Sequence, residues 1–270
     1  MSTSDVDGVC ENLESCKLST GRKISDKELF KHPPSIFGDC PICFERIPTL
    51  HTGSKYKTCC GKMICSGCIH APVYDNQGNE VAEKKCPFCR DPAPKKIEEA
   101  LERSKKRMDA GDSRAMHNLG MYYFDGSYGF TQDYAKALEL YHRAGELGLS
   151  KAYGSIGYSY ENGRGVEVDK KKAVYYYELA AIMGNAIARY NLGVYEESKG
   201  NWDRALKHFM IAVSGGHGPS LKEIQRLYTN GHVTKDDYTN ALRSYQEYLG
   251  EIKSRQRDEA AAARENYRYY

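Results

Sequence analysis

Eight of the ten cysteines in this 270-residue chain fall between positions 40 and 89. They read Cys40-x-x-Cys43, Cys59-Cys60, Cys65-x-x-Cys68 and Cys86-x-x-Cys89. A C-x-x-C pair can turn back on one metal ion, and two closed tetrahedral sites need eight ligands. The spacing therefore predicts a small zinc-stabilised domain with two structural zinc ions. Disulfides or buried free thiols would be the alternative. Met1 to Cys16 has neither a basic start nor an apolar core, so no secretory signal is expected. No stretch approaches the roughly 18 apolar residues of a membrane span, and no membrane partner is expected. The expected compartment is then the cytosol or nucleus, where disulfides are rare. Cys10 and Cys16 sit apart in a polar segment and read as free thiols.

Charge follows from the same cysteines. Ionising eight thiols and binding two zinc ions takes the formal charge from +3 to −1. A near-neutral chain gives no general attraction to nucleic acid. The basic run Lys84, Lys85, Arg90, Lys95, Lys96, Arg103, Lys105, Lys106 and Arg107 is interleaved with Glu98, Glu99 and Glu102. That pattern is a solvated helix face rather than a phosphate-binding stripe. No Ser-His-Asp, paired-carboxylate or phosphate-loop constellation stands out. A zinc closed by four thiolates has no open position and cannot activate water.

Beyond Asp91-Pro92-Ala93-Pro94 the sequence repeats. Ala115–Gly120 reads AMHNLG, Ala152–Gly157 reads AYGSIG, and Ala188–Gly193 reads ARYNLG. Ala137, Ala173, Ala205 and Ala241 are equivalent, each followed four residues later by an aromatic: Tyr141, Tyr177, Phe209 and Tyr245. Asp133, Asp169, Asn201 and Asp237 precede them at the position expected to cap the second helix of each pair. Alanine and glycine let two helices approach, and the aromatic fills the space between them. Gly148, Gly184 and Gly216 stand where a left-handed helix stop is expected. One helix pair cannot bury its face alone, so stacked pairs must form an all-α helical-repeat solenoid.

This pattern resembles the Sel-1-like repeats, relatives of the tetratricopeptide repeats. The second repeat carries most of the signature: Ala152, Gly157, Gly163, Gly165, Val166, Asp169, Lys172, Ala173, Tyr177, Ala180, Ala181 and Gly184. The expected domains are a flexible polar tail (1–35), the zinc finger (36–94), a capping helix (95–111) and the solenoid (112–250). Its four units cover about 112–148, 149–184, 185–216 and 217–250. Residues 251–270 read as a charged C-terminal helix or tail, with no partner expected for Tyr267, Tyr269 and Tyr270.

The cysteine segment resembles a RING finger in an all-cysteine variant. Cys60-Gly61-Lys62-Met63-Ile64-Cys65-Ser66-Gly67-Cys68 is similar to that family's core, with Lys62 in place of its usual histidine. The family's cross-brace implies Cys40, Cys43, Cys65 and Cys68 on the first zinc and Cys59, Cys60, Cys86 and Cys89 on the second. His70 and His51 are substitutes should the adjacent Cys59 and Cys60 not both ligate. Lys55, Lys57, Lys62, Lys84 and Lys85 are placed to offset thiolate charge. RING ubiquitin ligases grip a ubiquitin-conjugating enzyme, and the resemblance assigns that contact to Ile42, Pro87, Phe88 and Arg90. Arg90 would be the linchpin that holds the conjugating enzyme and its ubiquitin in an attack-ready pose. Pro72 and Val73 stand where many ligases carry a tryptophan. The implied function is a ubiquitin ligase whose repeats hold a protein substrate or adaptor. A non-enzymatic interaction scaffold is the alternative.

Overall fold

A computed structural model describes residues 24–31, 38–48, 53–73, 81 and 84–268. Cys10, Cys16, His51, Tyr269 and Tyr270 lie outside the described residues. A short helix, α1 (Asp26–Leu29), precedes a cysteine-rich module. The module has a hairpin of β1 (Ser54–Lys57) and β2 (Lys62–Cys65), then helix α2 (Ser66–His70). The strands pair antiparallel, with Ser54 opposite Cys65 and Lys57 opposite Lys62.

Helices follow to the end of the chain: α3 (Ile97–Asp109), α4 (Ser113–Asp125), α5 (Tyr134–Glu146), α6 (Ser150–Asn162) and α7 (Lys170–Ile182). After them come α8 (Ala186–Ser198), α9 (Trp202–Ser214), α10 (Gly218–Thr229), α11 (Lys235–Ile252) and α12 (Arg255–Ala263). The closest pairs are α4 with α5, α6 with α7, and α8 with α9. Each pair stacks on the next, and α3 packs on α4. The core is continuous from Met116 to Leu192, as stacking of repeats requires.

One contact recurs in each of the first three pairs. A Cβ added at Gly120 would lie 2.7 Å from the Tyr141 ring, at Gly157 2.7 Å from Tyr177, and at Gly193 2.4 Å from Phe209. These glycines are the sockets that receive the aromatics. Gly111, Gly148, Gly184 and Gly216 all have φ between +83° and +87° and end the preceding helices. Asp133 and Asp169 accept from the backbone N–H of Lys136 (2.9 Å) and Lys172 (3.0 Å). The capping pattern departs from expectation in the last two units. Asn201 precedes α9 without a side-chain cap bond. Asp237 is not the cap of α11. Thr234 is, and Asp237 closes a capping box by accepting from the Thr234 backbone N–H at 2.9 Å.

Residues 24–31, placed in a flexible tail by the sequence, and Tyr267, for which no partner was expected, pack against the rest of the protein. The expected C-terminal helix is present as α12. Ser25 and Glu28 form a capping box that starts α1. Ile24 and Leu29 then bury their side chains in the solenoid core. The Arg189 guanidinium, almost wholly buried, donates to the Leu29 carbonyl. Phe30 packs on His208 with ring centroids 4.8 Å apart, and Arg204 pairs with Asp26 at 2.6 Å. At the other end, Lys253 and Ser254 are extended and break α11 from α12. Helix α12 then folds back onto α2 of the cysteine module.

Two predictions follow from this packing. Gly157→Ala gains about 0.5–1 kcal/mol of helix propensity but overpacks Tyr177, at a cost of about 1–3 kcal/mol. A net loss of about 1–2 kcal/mol in urea unfolding is expected, whereas Gly250→Ala, with nothing within 4 Å of the new Cβ, should be stabilising.

The second prediction concerns pH. Burial and the nearby Arg189 and Arg204 charges push the His208 imidazole down to about 3, and burial takes His217 to about 4. Both are neutral when folded but protonate in the unfolded chain near the usual pKa of about 6.5. Stability is therefore full above that value and falls as pH drops toward 4, by about 1.4 kcal/mol per pH unit for each histidine. Urea titrations between pH 7 and 4.5 should show His208→Phe with a shallower slope than wild type.

Candidate metal centre

The two C-x-x-C segments near the ends of the module fold alike. The Cys40 N–H donates to the Glu45 carbonyl (2.9 Å) and the Phe44 N–H to that of Cys40 (2.8 Å). In the other, the Cys86 N–H donates to the Asp91 carbonyl (2.8 Å) and the Arg90 N–H to that of Cys86 (2.9 Å). Phe44 and Arg90 occupy the same place and both take left-handed backbone conformations, φ +58° and +65°. Such a turn curls each pair so that both sulfurs face one point. The doublet Cys59-Cys60 sits in the turn joining β1 to β2. Neighbouring side chains on a strand diverge, but a turn lets them converge. Gly61, at φ +69°, makes this turn, and its N–H donates to the Lys57 carbonyl at 2.8 Å. Cys65 ends β2 and begins α2, where its sulfur accepts the Cys68 N–H at 3.5 Å.

These turns bring the sulfurs of Cys40, Cys43, Cys65 and Cys68 within 4.8 Å of one another. Those of Cys59, Cys60, Cys86 and Cys89 meet the same limit. A tetrahedral ion with metal–sulfur bonds of about 2.3 Å needs sulfur pairs about 3.8 Å apart. The Cys43–Cys65 pair is at 3.7 Å and the Cys60–Cys86 pair at 3.9 Å. Both quartets can therefore hold a metal ion. His70 joins neither group. Its ring stands edge-on to Tyr267 at 6.1 Å.

Without a cation, such sulfurs resist ionising together. The bond from Cys65 draws Cys40 down to about 4, while the same bond and burial push Cys65 up. Burial pushes Cys68 up to about 12 and also raises Cys59 and Cys60. Against burial, backbone N–H groups of Cys89 and Phe88 bring Cys86 to about 7. A divalent ion reverses this balance by supplying the opposing charge.

Of the flanking lysines, Lys55 lies over the Tyr267 ring, 4.7 Å from its centroid. Two arginines from the helical region also contact the module. Arg107 of α3 donates to the Thr58 (3.2 Å) and Cys59 (2.6 Å) carbonyls, beside the second quartet. Arg257 of α12 is fully buried beside the first. Tyr56 adds a 2.6 Å bond to Asp112, the cap of α4. Arg103 ties Asp91 at 2.9 Å. Spacing could not have found Arg107 or Arg257, because neither lies near a cysteine in sequence.

Ile42 is half-buried against the module core and Pro87 is also half-buried. Phe88 is 43% exposed, and Phe44, which sequence reasoning passed over, is 79% exposed. Arg90 is exposed and forms no ion pair among the described residues. Pro72 is exposed on the turn after α2. In the solenoid, a groove of about 580 Å³ runs across α4, α6, α8 and α10. Met121, Phe124, Tyr158 and Ile187 give it an apolar wall, and Lys151, lowered to about 8 by burial, adds a cation.

The Sel1 repeat family model matches residues 113–149 and 150–185, so α4 to α7 form two Sel1 repeats. The chain is 38% identical over 89 residues to the Arabidopsis thaliana protein named ERAD-associated E3 ubiquitin-protein ligase component HRD3B. That match covers 32% of this chain and 13% of the relative. It is 29% identical over 148 residues, 52% of its length, to chitin synthase regulatory factor 4 of Schizosaccharomyces pombe, covering 23% of that protein. The chain thus spans less than a quarter of either relative. Among solved structures, a Sel1 repeat protein from Oxalobacter formigenes aligns with a TM-score of 0.49 at 28% identity. The alignment covers 63% of this chain and 66% of that one.

Loss of one thiol should affect one quartet. In cobalt(II) titrations followed by absorbance, wild type is expected to take up two tetrahedral ions. The double variant Cys40→Ser/Cys43→Ser should take up one.

Proposed function

We propose that the module is a RING-type zinc finger holding two zinc ions, and that the chain is a ubiquitin ligase acting by positioning. The observation that carries this reading is the interleaving of ligands. The first and third cysteine pairs share one site, and the second and fourth share the other. That order is the cross-brace of the RING family. Thiolate quartets at tetrahedral spacing suit zinc, which is held this way in closed structural sites.

In this reading zinc supplies shape and no chemistry. The two curled turns present Ile42, Pro87 and Phe88 to a ubiquitin-conjugating enzyme. Arg90 shares with Phe44 the left-handed backbone conformation that curls its cysteine pair. Its planar guanidinium, in no ion pair among the described residues, can donate to carbonyls of the conjugating enzyme and of ubiquitin together. Rate enhancement then comes from restricted orientation of the thioester, without a covalent intermediate on this chain. The apolar groove of the solenoid binds a protein substrate or adaptor, in keeping with the concave surfaces of stacked repeats. The similarity to a relative named as a ubiquitin-ligase component supports the same setting. The cytosol or nucleus is the proposed location.

A reconstituted self-ubiquitination assay over a panel of conjugating enzymes tests this. Wild type should form conjugates with at least one enzyme. Ile42→Ala and Arg90→Ala should each reduce the rate at least tenfold while two zinc ions stay bound. A wild type that carries both ions yet is inactive with every enzyme would leave the scaffold reading in its place.

A further inference from the structure

Arg257 is one of the largest side chains in the protein with no exposed surface. Its Nη1 donates to the Ile252 carbonyl at 2.6 Å, inside its own chain segment. Nη2 reaches the Glu45 carbonyl at 3.4 Å and lies 3.7 Å from Glu45 Oε2. Nε is buried and has no hydrogen-bond partner among the described residues. A guanidinium so placed is costly unless an anion faces it. Glu45 is half-exposed and sits at a long distance, so it meets that need only in part. Beyond Glu45, the charges that act on Arg257 are those of Cys65 and Cys43 in the first quartet.

The helix that carries Arg257 is seated tightly. A Cβ on Gly67 of α2 would stand 2.9 Å from the backbone carbon of Gln256. Gln256 Oε1 is 3.9 Å from the Cys68 sulfur. Ala260 and Tyr267 complete the core of the cysteine module. Just before the break, Glu251 of α11 pairs with Arg46, whose guanidinium lies over the Tyr248 ring, 5.5 Å from its centroid. Among the described residues, no fully buried arginine stands beside the second quartet. Arg107 addresses backbone carbonyls there, and its Nε and Nη2 are taken by Thr58 and Cys59.

We propose that Arg257 is the built-in counter-charge of the first metal site, donating to the Cys65 thiolate and making α12 part of the metal module. A divalent ion with four thiolates carries a net charge of −2. A fixed, desolvated guanidinium offsets part of it and holds one sulfur by an N–H···S bond. Such outer-shell donors govern metal retention. The inference rests on the reading that zinc occupies the quartets, and it predicts that the two sites differ. Only the first should depend on the C-terminal helix.

The test uses the full chain and follows zinc release to a chromophoric chelator, with native mass spectrometry counting ions. Wild type should start with two. Arg257→Leu should release one ion at least tenfold faster and the other at the wild-type rate. Arg257→Lys, which keeps the charge in a less exacting geometry, should fall between. In the cobalt-substituted chain, loss of the N–H···S bond should move the thiolate-to-metal charge-transfer band to longer wavelength, which mere loosening of packing would not do. If Arg257→Leu fails to fold, Arg257→Lys decides: wild-type release from both sites overturns the proposal. So does release of both ions together in either variant. A wild type with fewer than two zinc ions overturns the zinc reading itself, whereas two ions with unchanged release kinetics overturns only the role of Arg257.

Discussion

Four sulfur atoms within 4.8 Å of one another repel as soon as more than one ionises, and each quartet of the module has this arrangement. The thiols alone cannot form the anionic set. One takes the proton burden of its neighbours, as Cys65 does for Cys40. A cation at the centre turns this liability into the main source of folding energy for a module with so little apolar core. The hairpin, the two curled turns and the short helix α2 are each only a few residues long. In the proposed zinc reading they become a fixed surface because sulfurs from each are drawn to common points.

That constraint extends into the helices. The module is held at one side by Arg103, Arg107 and Asp112 near the start of the helical array. At the other side it is held by Glu251, Arg257 and Tyr267 near its end. The cysteine module and the solenoid are therefore not beads on a string joined only by Asp91–Pro94. The arrangement fixes the direction in which the groove across α4 to α10 faces relative to Ile42 and Arg90. In the proposed ligase reading, a rigid relation between the solenoid groove and the surface around Ile42 and Arg90 is what orientation requires.

The repeats were legible because the same contact is written several times. A glycine socket and its aromatic recur at nearly constant separation, so the phase of one pair predicts the next. Which thiols meet was implied by the resemblance to the RING cross-brace and not by spacing alone. The docked ends were not legible. Arg189 reaches back 160 residues to Leu29, and Arg257 reaches 212 residues to Glu45. A single long-range contact has no period, and one arginine among 39 lysines and arginines carries no mark of burial. The polar composition around Ser25 pointed to a tail, and that after Glu251 to a helix or a tail with no docking surface. Capping residues and a few apolar side chains, Ile24, Leu29, Ala260 and Tyr267, were enough to order both segments against existing surfaces. The cap of α11 was misplaced for a simpler reason: Asp237 serves equally well as the third residue of a capping box as it would at the cap itself.

X-ray absorption at the zinc edge of the purified chain tests the central claim most directly. Two zinc ions per chain, each surrounded only by sulfur at about 2.3 Å, is the predicted result. A first shell containing nitrogen or oxygen, or a chain that folds with no zinc to absorb, would contradict it.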